Sequence, residues 1–282
     1  MNEQLTVTAG IDGSPESLAA AAWAGYEALR RDLPLHLIHA YDQPSVQTRL
    51  PEVDVPFHRE SDALNHAVLH LSDIHPDLGI VEEQVIEPPV RALLAAAESS
   101  ALLVLGSRGF GALTGALVGS VALAVAAQAT CPVVLVRAGE RPDDRRRAPD
   151  RPRPVVLGLD LDRPCDELLE FAFVAATTRQ APLHAVHTWT IPLVPTADTT
   201  DPSVAKSRLL AATLTPWKHK FPGVQVTERL VRGLTGHHVL QAAKDADLLV
   251  VGRRVPAGEH LGSTAHAAIH RAGCPVAIVP HN

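Results

Sequence analysis

Short, nearly unbroken apolar runs alternate along the chain with longer Ala- and Leu-rich segments. Four runs stand out before residue 137: Val7–Ile11 closed by Asp12, Leu37–Tyr41, Ala101–Gly106 and Cys131–Val136. Four more follow: Val155–Leu159 closed by Asp160, His184–Trp189, Asp247–Gly252 and Cys274–Val279. Runs of this length and Val/Leu/Ile content read as strands buried on both faces. The segments between them read as helices, over Ser17–Arg30, Pro89–Glu98, Ser120–Ala129, Asp166–Thr177 and Ser263–Ala272. Strand and helix alternating in units of this size predict right-handed crossovers and a parallel sheet.

The second four runs repeat the first four. Corresponding positions are 148, 148, 146 and 143 residues apart, a drift that a duplicated domain with a few deletions explains. Between the copies, Ala138–Pro154 is rich in Arg, Asp and Pro and lacks bulky apolar residues, so it reads as an exposed linker. The expected organisation is a first domain over 1–138, a linker over 139–153 and a second domain over 154–282. Each is expected to be a doubly wound α/β domain with about five parallel strands.

Composition narrows the function. The 282 residues carry 25 basic and 31 acidic side chains, a net charge of −6, and 4% aromatics. That balance argues against a nucleic-acid backbone as partner. Three separated cysteines, Cys131, Cys165 and Cys274, fit neither a disulfide framework nor a zinc ribbon, and a reducing cytoplasm is the expected setting. Gly109–Val136 is uncharged over 28 residues. Its polar Thr114, Ser120, Gln128 and Thr130 and the Cys131-Pro132 break argue for a buried loop, helix and strand, not a membrane span.

In open parallel sheets, ligands bind at the carboxyl ends of the strands, where strand order reverses. The informative loop there runs Gly106-x2-Gly109-x9-Gly119-Ser120 and leads into a predicted helix. Glycines allow close backbone approach, and a helix N-terminus offers free N–H groups to phosphate oxygens. Ser107 and Ser120 add hydroxyls, and Arg108 adds charge. A glycine-rich turn needed only for packing is the other reading of the same residues. No GxxxxGK[ST] occurs, and GFGALTG does not follow the first strand as a dinucleotide fingerprint must.

Together with Asp12-Gly13-Ser14 and Cys131-Pro132-Val133, this loop resembles the ATP-binding universal stress proteins. The resemblance covers both halves and implies a tandem member with two five-stranded α/β/α domains of the adenine-nucleotide alpha-hydrolase type, binding ATP with or without Mg²⁺. It implies that Gly10 and Asp12 meet the adenosine part and that the Ala40 backbone bonds the adenine edge. Leu105 and Gly106 would line the ribose, with Arg108, Gly109, Gly119, Ser120 and Val121 on the phosphates. It also implies pairing of the two domains through Val133–Val136 and Val276–Val279, and further assembly into homodimers.

In the second copy Asp160, Thr188, Gly252, Gly262 and Ser263 hold the matching places. There Val255 replaces the second glycine, and six residues, Pro256 to Leu261, precede Gly262, three fewer than in the first copy. A tighter loop would reach less of a triphosphate. Asp160-Leu161-Asp162 has the DxD form of a phosphatase, but duplication already accounts for its first aspartate. His266, His270 and Cys274 lack the glutamate of an HExxH zinc helix. With no evident general base by the loop, the expected role is a cytoplasmic nucleotide-dependent stress regulator or sensor. A slow ATPase and a nucleotide-free interaction module are the alternatives. The Pro/Asp/Thr-rich loops Pro44–Pro56 and Ile191–Pro202 either cover the nucleotide or merely connect.

Overall fold

A computed structural model describes residues 5–42, 55–107, 118–139, 152–163, 165–190, 202–255 and 260–282, with the backbone alone over 55–62. The chain divides into two compact units, Met1–Ala148 and Pro149–Asn282.

The first unit has strands β1 (Thr6–Gly10), β2 (Leu35–Ala40), β3 (Ile80–Val85), β4 (Ser100–Gly106) and β5 (Val133–Val136). They pair in the order β3-β2-β1-β4-β5, all parallel. Helices α1 (Pro15–Arg31), α2 (Val55–Ile74), α3 (Pro89–Ala97) and α4 (Ser120–Gln128) connect them. Helices α1 and α2 pack together, as do α3 and α4, one pair on each face of the sheet. The central strands are apolar throughout because both faces are covered: Val7, Ala9, Leu35, Leu37 and Leu102–Val104 have no exposed surface.

The second unit repeats this plan. Strands β6 (Val155–Leu159), β7 (Leu183–Trp189), β8 (Val226–Arg232), β9 (Leu248–Arg254) and β10 (Val276–His281) pair in parallel in the order β8-β7-β6-β9-β10. Helices α5 (Asp166–Thr178), α6 (Pro202–Lys220), α7 (Thr235–Ala242) and α8 (Ser263–Arg271) complete it. In both units strand order reverses beside the first strand, between β1 and β4 and between β6 and β9. The strand-end clefts lie at these points.

Two local features fix α1, one at each end. Ser14 caps α1, its hydroxyl accepting from Ser17 N–H at 3.1 Å, and Pro15 opens the first turn with its preset φ. Further along α1, Glu27 has no exposed surface and accepts from Arg31 Nε at 2.7 Å, with Arg30 at 3.6 Å. The segment expected to avoid the membrane forms the nine-residue α4 and then β5 over its described part. Among the described residues no helix is long and apolar enough to cross a membrane. Residues 43–54 and 191–201 of the two Pro-rich loops lie outside the described residues. Of those loops, Val55 and Pro56 open α2, and Pro202 opens α6.

Candidate functional site at the strand ends

In the first unit the ends of β1, β2 and β4 meet. β1 ends at Gly10, and Asp12 follows, its Oδ1 accepting from the N–H and the hydroxyl of Ser14 at 2.9 and 2.6 Å. This turn uses Gly13 at φ 79°, a left-handed value that glycine takes without strain. β2 ends at Ala40. The preceding His39 is buried, and its Nδ1 lies 2.6 Å from the carbonyl of Ile11. A carbonyl only accepts, so Nδ1 carries the proton and the ring ties the two strand exits together. The Tyr41 ring stacks on that of His39, with centroids 5.7 Å apart.

The end of β4 is the tightest point. Gly106 faces the first turn of α1, where a Cβ would come within 2.8 Å of Glu16 C and Ser17 N. Leu105 points to the opposite face, is 4% exposed and packs beside Gly10, where a Cβ would meet its Cδ2 at 2.7 Å. Leu105 therefore offers its backbone, and not its side chain, at the strand end. Ser107 is buried too. Its N–H donates to Val136 O at 2.7 Å, and its carbonyl accepts from Gly119 N–H at 2.9 Å. That second bond closes the base of the glycine loop, so the chain leaves β4 and enters α4 at one place. Gly119 caps α4 without a side-chain hydrogen bond, and the first turn holds no acidic residue. Ser120 is exposed and Val121 half-buried at this open helix end. Arg108 and Gly109 lie outside the described residues.

In the second unit Asp160, Thr188, Gly252, Gly262 and Ser263 all line one cleft of about 530 Å³, within the range of small-molecule sites. The turn after β6 repeats the one after β1, with Asp162 N–H donating to Asp160 Oδ1 at 3.1 Å. His187 repeats His39, its Nδ1 2.9 Å from the carbonyl of Leu159. Its Nε2 is buried without a hydrogen-bond partner. The hydroxyls of Thr188 and Thr235 lie 2.5 Å apart on the cleft wall.

The two units differ at the fourth strand. β4 stops at Gly106, whereas β9 runs on through Arg253 and Arg254, paired with Pro280 and His281 of β10. The His281 ring stands where a Cβ on Gly252 would point, 2.5 Å from its Nε2. Lys206, Arg254, His260 and His281 join the cleft lining, and the glycine pattern alone does not single them out. The shortened loop offers Arg253 and Arg254 together as replacements for lost backbone donors, and strand alternation selects Arg254, on the face of Gly252.

Cysteine chemistry is absent from the candidate roles. Cys165 lines the second cleft, and burial together with Asp166, Asp160 and Glu167 pushes its thiol up to about 11. Burial does the same to Cys131, also to about 11. Both are raised above 9, so the protonated thiols support the fold fully below pH 9, and that support is lost as pH rises through 11. At pH 8, iodoacetamide is expected to leave both unlabelled in the native protein and to label both in urea, read by mass spectrometry. Labelling of the native protein at the denatured rate would contradict the burial. His266 and His270 have ring centroids 4.3 Å apart. Among the described residues no group of three or more His, Cys, Asp or Glu is placed to hold a metal.

The sequence model of the universal stress protein family matches residues 5–137 and again 152–280. The chain belongs to the universal stress protein family. A curated universal stress protein of Mycolicibacterium smegmatis is 31% identical over 97% of this chain and 96% of its own length. The crystal structure of a universal stress protein from Archaeoglobus fulgidus covers 98% of each chain with a TM-score of 0.70 at 17% identity, a likeness of fold. A universal stress protein crystallised in complex with cAMP aligns over 49% of this chain at 29% identity, with a TM-score of 0.39.

Proposed function

We propose that the chain binds adenine nucleotide at its strand ends, ATP in the first unit, and works as a nucleotide-dependent regulator or sensor in the cytoplasm. The observation that carries this reading is the closed base of the glycine loop. The bond from Gly119 N–H to the Ser107 carbonyl holds a helix end without a side-chain cap beside the reversal point of the sheet. Such a helix end attracts phosphate oxygens. Asp12, Ala40 and Gly106 then surround the nucleoside, while Gly119, Ser120 and Val121 face the phosphates, joined by Arg108 and Gly109 of the loop. Asp12 could accompany Mg²⁺ if the bound nucleotide carries it, although its place is at the nucleoside.

Regulation is favoured over efficient hydrolysis because the titratable groups here are engaged in holding backbone. Asp12 braces the Ser14 turn and His39 the Ile11 carbonyl. Bound nucleotide would act by ordering the loops and shifting a conformational equilibrium that a partner reads.

Denaturing freshly purified protein and counting the released nucleotide tests this directly. At least one ATP per chain is expected, lost on Gly119→Ala. Protein that carries none and fails to bind added ATP overturns the reading. Recovery of mostly ADP, with turnover abolished by Asp12→Ala, would favour a slow ATPase.

A further inference from the structure

The second cleft carries its positive charge on side chains. Gly252 and Arg254 share a strand face and both line the cleft, whereas Arg253 points the other way and is 4% exposed. His281 is the register partner of Arg254 on β10 and joins it on the wall. Arg254 forms no ion pair among the described residues, and its Nε is buried without a hydrogen-bond partner. Arg254 is half-buried on the cleft wall, and a phosphate group fits its planar fork.

The backbone offers less here than in the first unit. The two residues after Gly252 are drawn into the β9–β10 pairing. Seven residues, 255 to 261, remain before Gly262, against eleven, 108 to 118, before Gly119. The other ionisable groups lining the cleft are Asp160, Asp162, Cys165, His187, Lys206 and His260, with Lys206 Nζ 3.8 Å from Asp162. The fixed cations Arg254 and Lys206 are thus already matched in number by carboxylates, and a long polyphosphate adds charge that the wall does not balance.

We infer that Arg254 is the phosphate-binding residue of the second cleft, and that this cleft takes an adenine nucleotide with one or two phosphates in preference to ATP. The inference rests on the adenine-nucleotide reading above. The two units would then read different phosphorylation states of one nucleotide.

Tryptophan fluorescence isolates this cleft. Trp189 lines it, while Trp23 is 4% exposed and Trp217 packs against Phe173 and Phe221. In the full chain, the nucleotide response that disappears in Trp189→Phe belongs to the second cleft. AMP and ADP are expected to saturate that response at concentrations roughly tenfold or more below ATP. Arg254→Met should weaken AMP roughly 10- to 100-fold and change adenosine binding by less than about twofold. The nucleotide-free variant should melt no lower than the parent. If it does melt lower, Arg254→Gln replaces it in the same titrations.

A response to ATP as tight as to AMP, or a variant that loses adenosine as fully as AMP, overturns the inference. So does equilibrium dialysis that finds ATP at one site per chain and no second site for AMP, although the reading of the first unit would stand. No adenine nucleotide bound at either site overturns both.

Discussion

Gly106→Ala is expected to lower the melting temperature by roughly 5–10 °C and to empty the proposed nucleotide site of the first unit. The added methyl would sit 2.8 Å from Glu16 C and Ser17 N. Those are backbone atoms of a capped helix turn and cannot rotate aside, so β4 and α1 must separate. Overpacking of this kind costs about 2–3 kcal/mol, and about 2–4 °C follows each kcal/mol in a unit of this size. The same displacement moves the strand end that holds the loop base. Gly223→Ala is the control, because nothing lies within 4 Å of a Cβ there. It should change stability by less than about 1 kcal/mol. Calorimetry and nucleotide counting on both variants check this, and a Gly106→Ala protein that melts and binds like the parent would show that α1 does not pack on β4.

Glu27→Gln should destabilise the first unit by about 3–5 kcal/mol, because it removes the buried carboxylate charge that pairs with the Arg31 guanidinium. Glu27 is fully buried and the Arg31 side chain only 12% exposed, so the guanidinium lacks water to replace the lost carboxylate. Arg30, 34% exposed, contributes little beyond this. Replacing both partners, Glu27→Leu with Arg31→Leu, should recover most of the loss. Urea denaturation of the three proteins measures it. A single variant as stable as the parent would mean the pair contributes nothing net.

The strands that were legible in the sequence are those buried on both faces. β1, β2, β4 and β5, with their four repeats, are continuous apolar runs, and helix–sheet packing demands that composition. β3 and β8 were expected only as members of a five-strand plan, without positions. They pair on one side alone, so β3 carries exposed Glu82, Glu83 and Gln84, and β8 alternates exposed and half-buried residues. Helix α6 was hidden for a different reason: Pro216 stands inside it. Around the candidate site, Gly10, Asp12, Ala40, Gly106 and Gly119 could be placed because each sits at a strand or helix end that the apolar pattern marks. The role of His281 could not, since its place on the cleft wall depends on the register of β10 against β9. Register between distant segments is set by packing and not by local pattern.

The loop base closed by Gly119 and Ser107 makes the glycine loop an exchangeable cassette. Because the chain leaves and returns at one hydrogen bond, a change of loop length is absorbed at the end of the fourth strand, where β9 runs two residues past the point at which β4 stops. Closing eleven residues instead of seven differs by only about 0.4 kcal/mol of chain entropy. After a duplication, ligand choice in one copy can therefore drift while the folding of both copies stays the same.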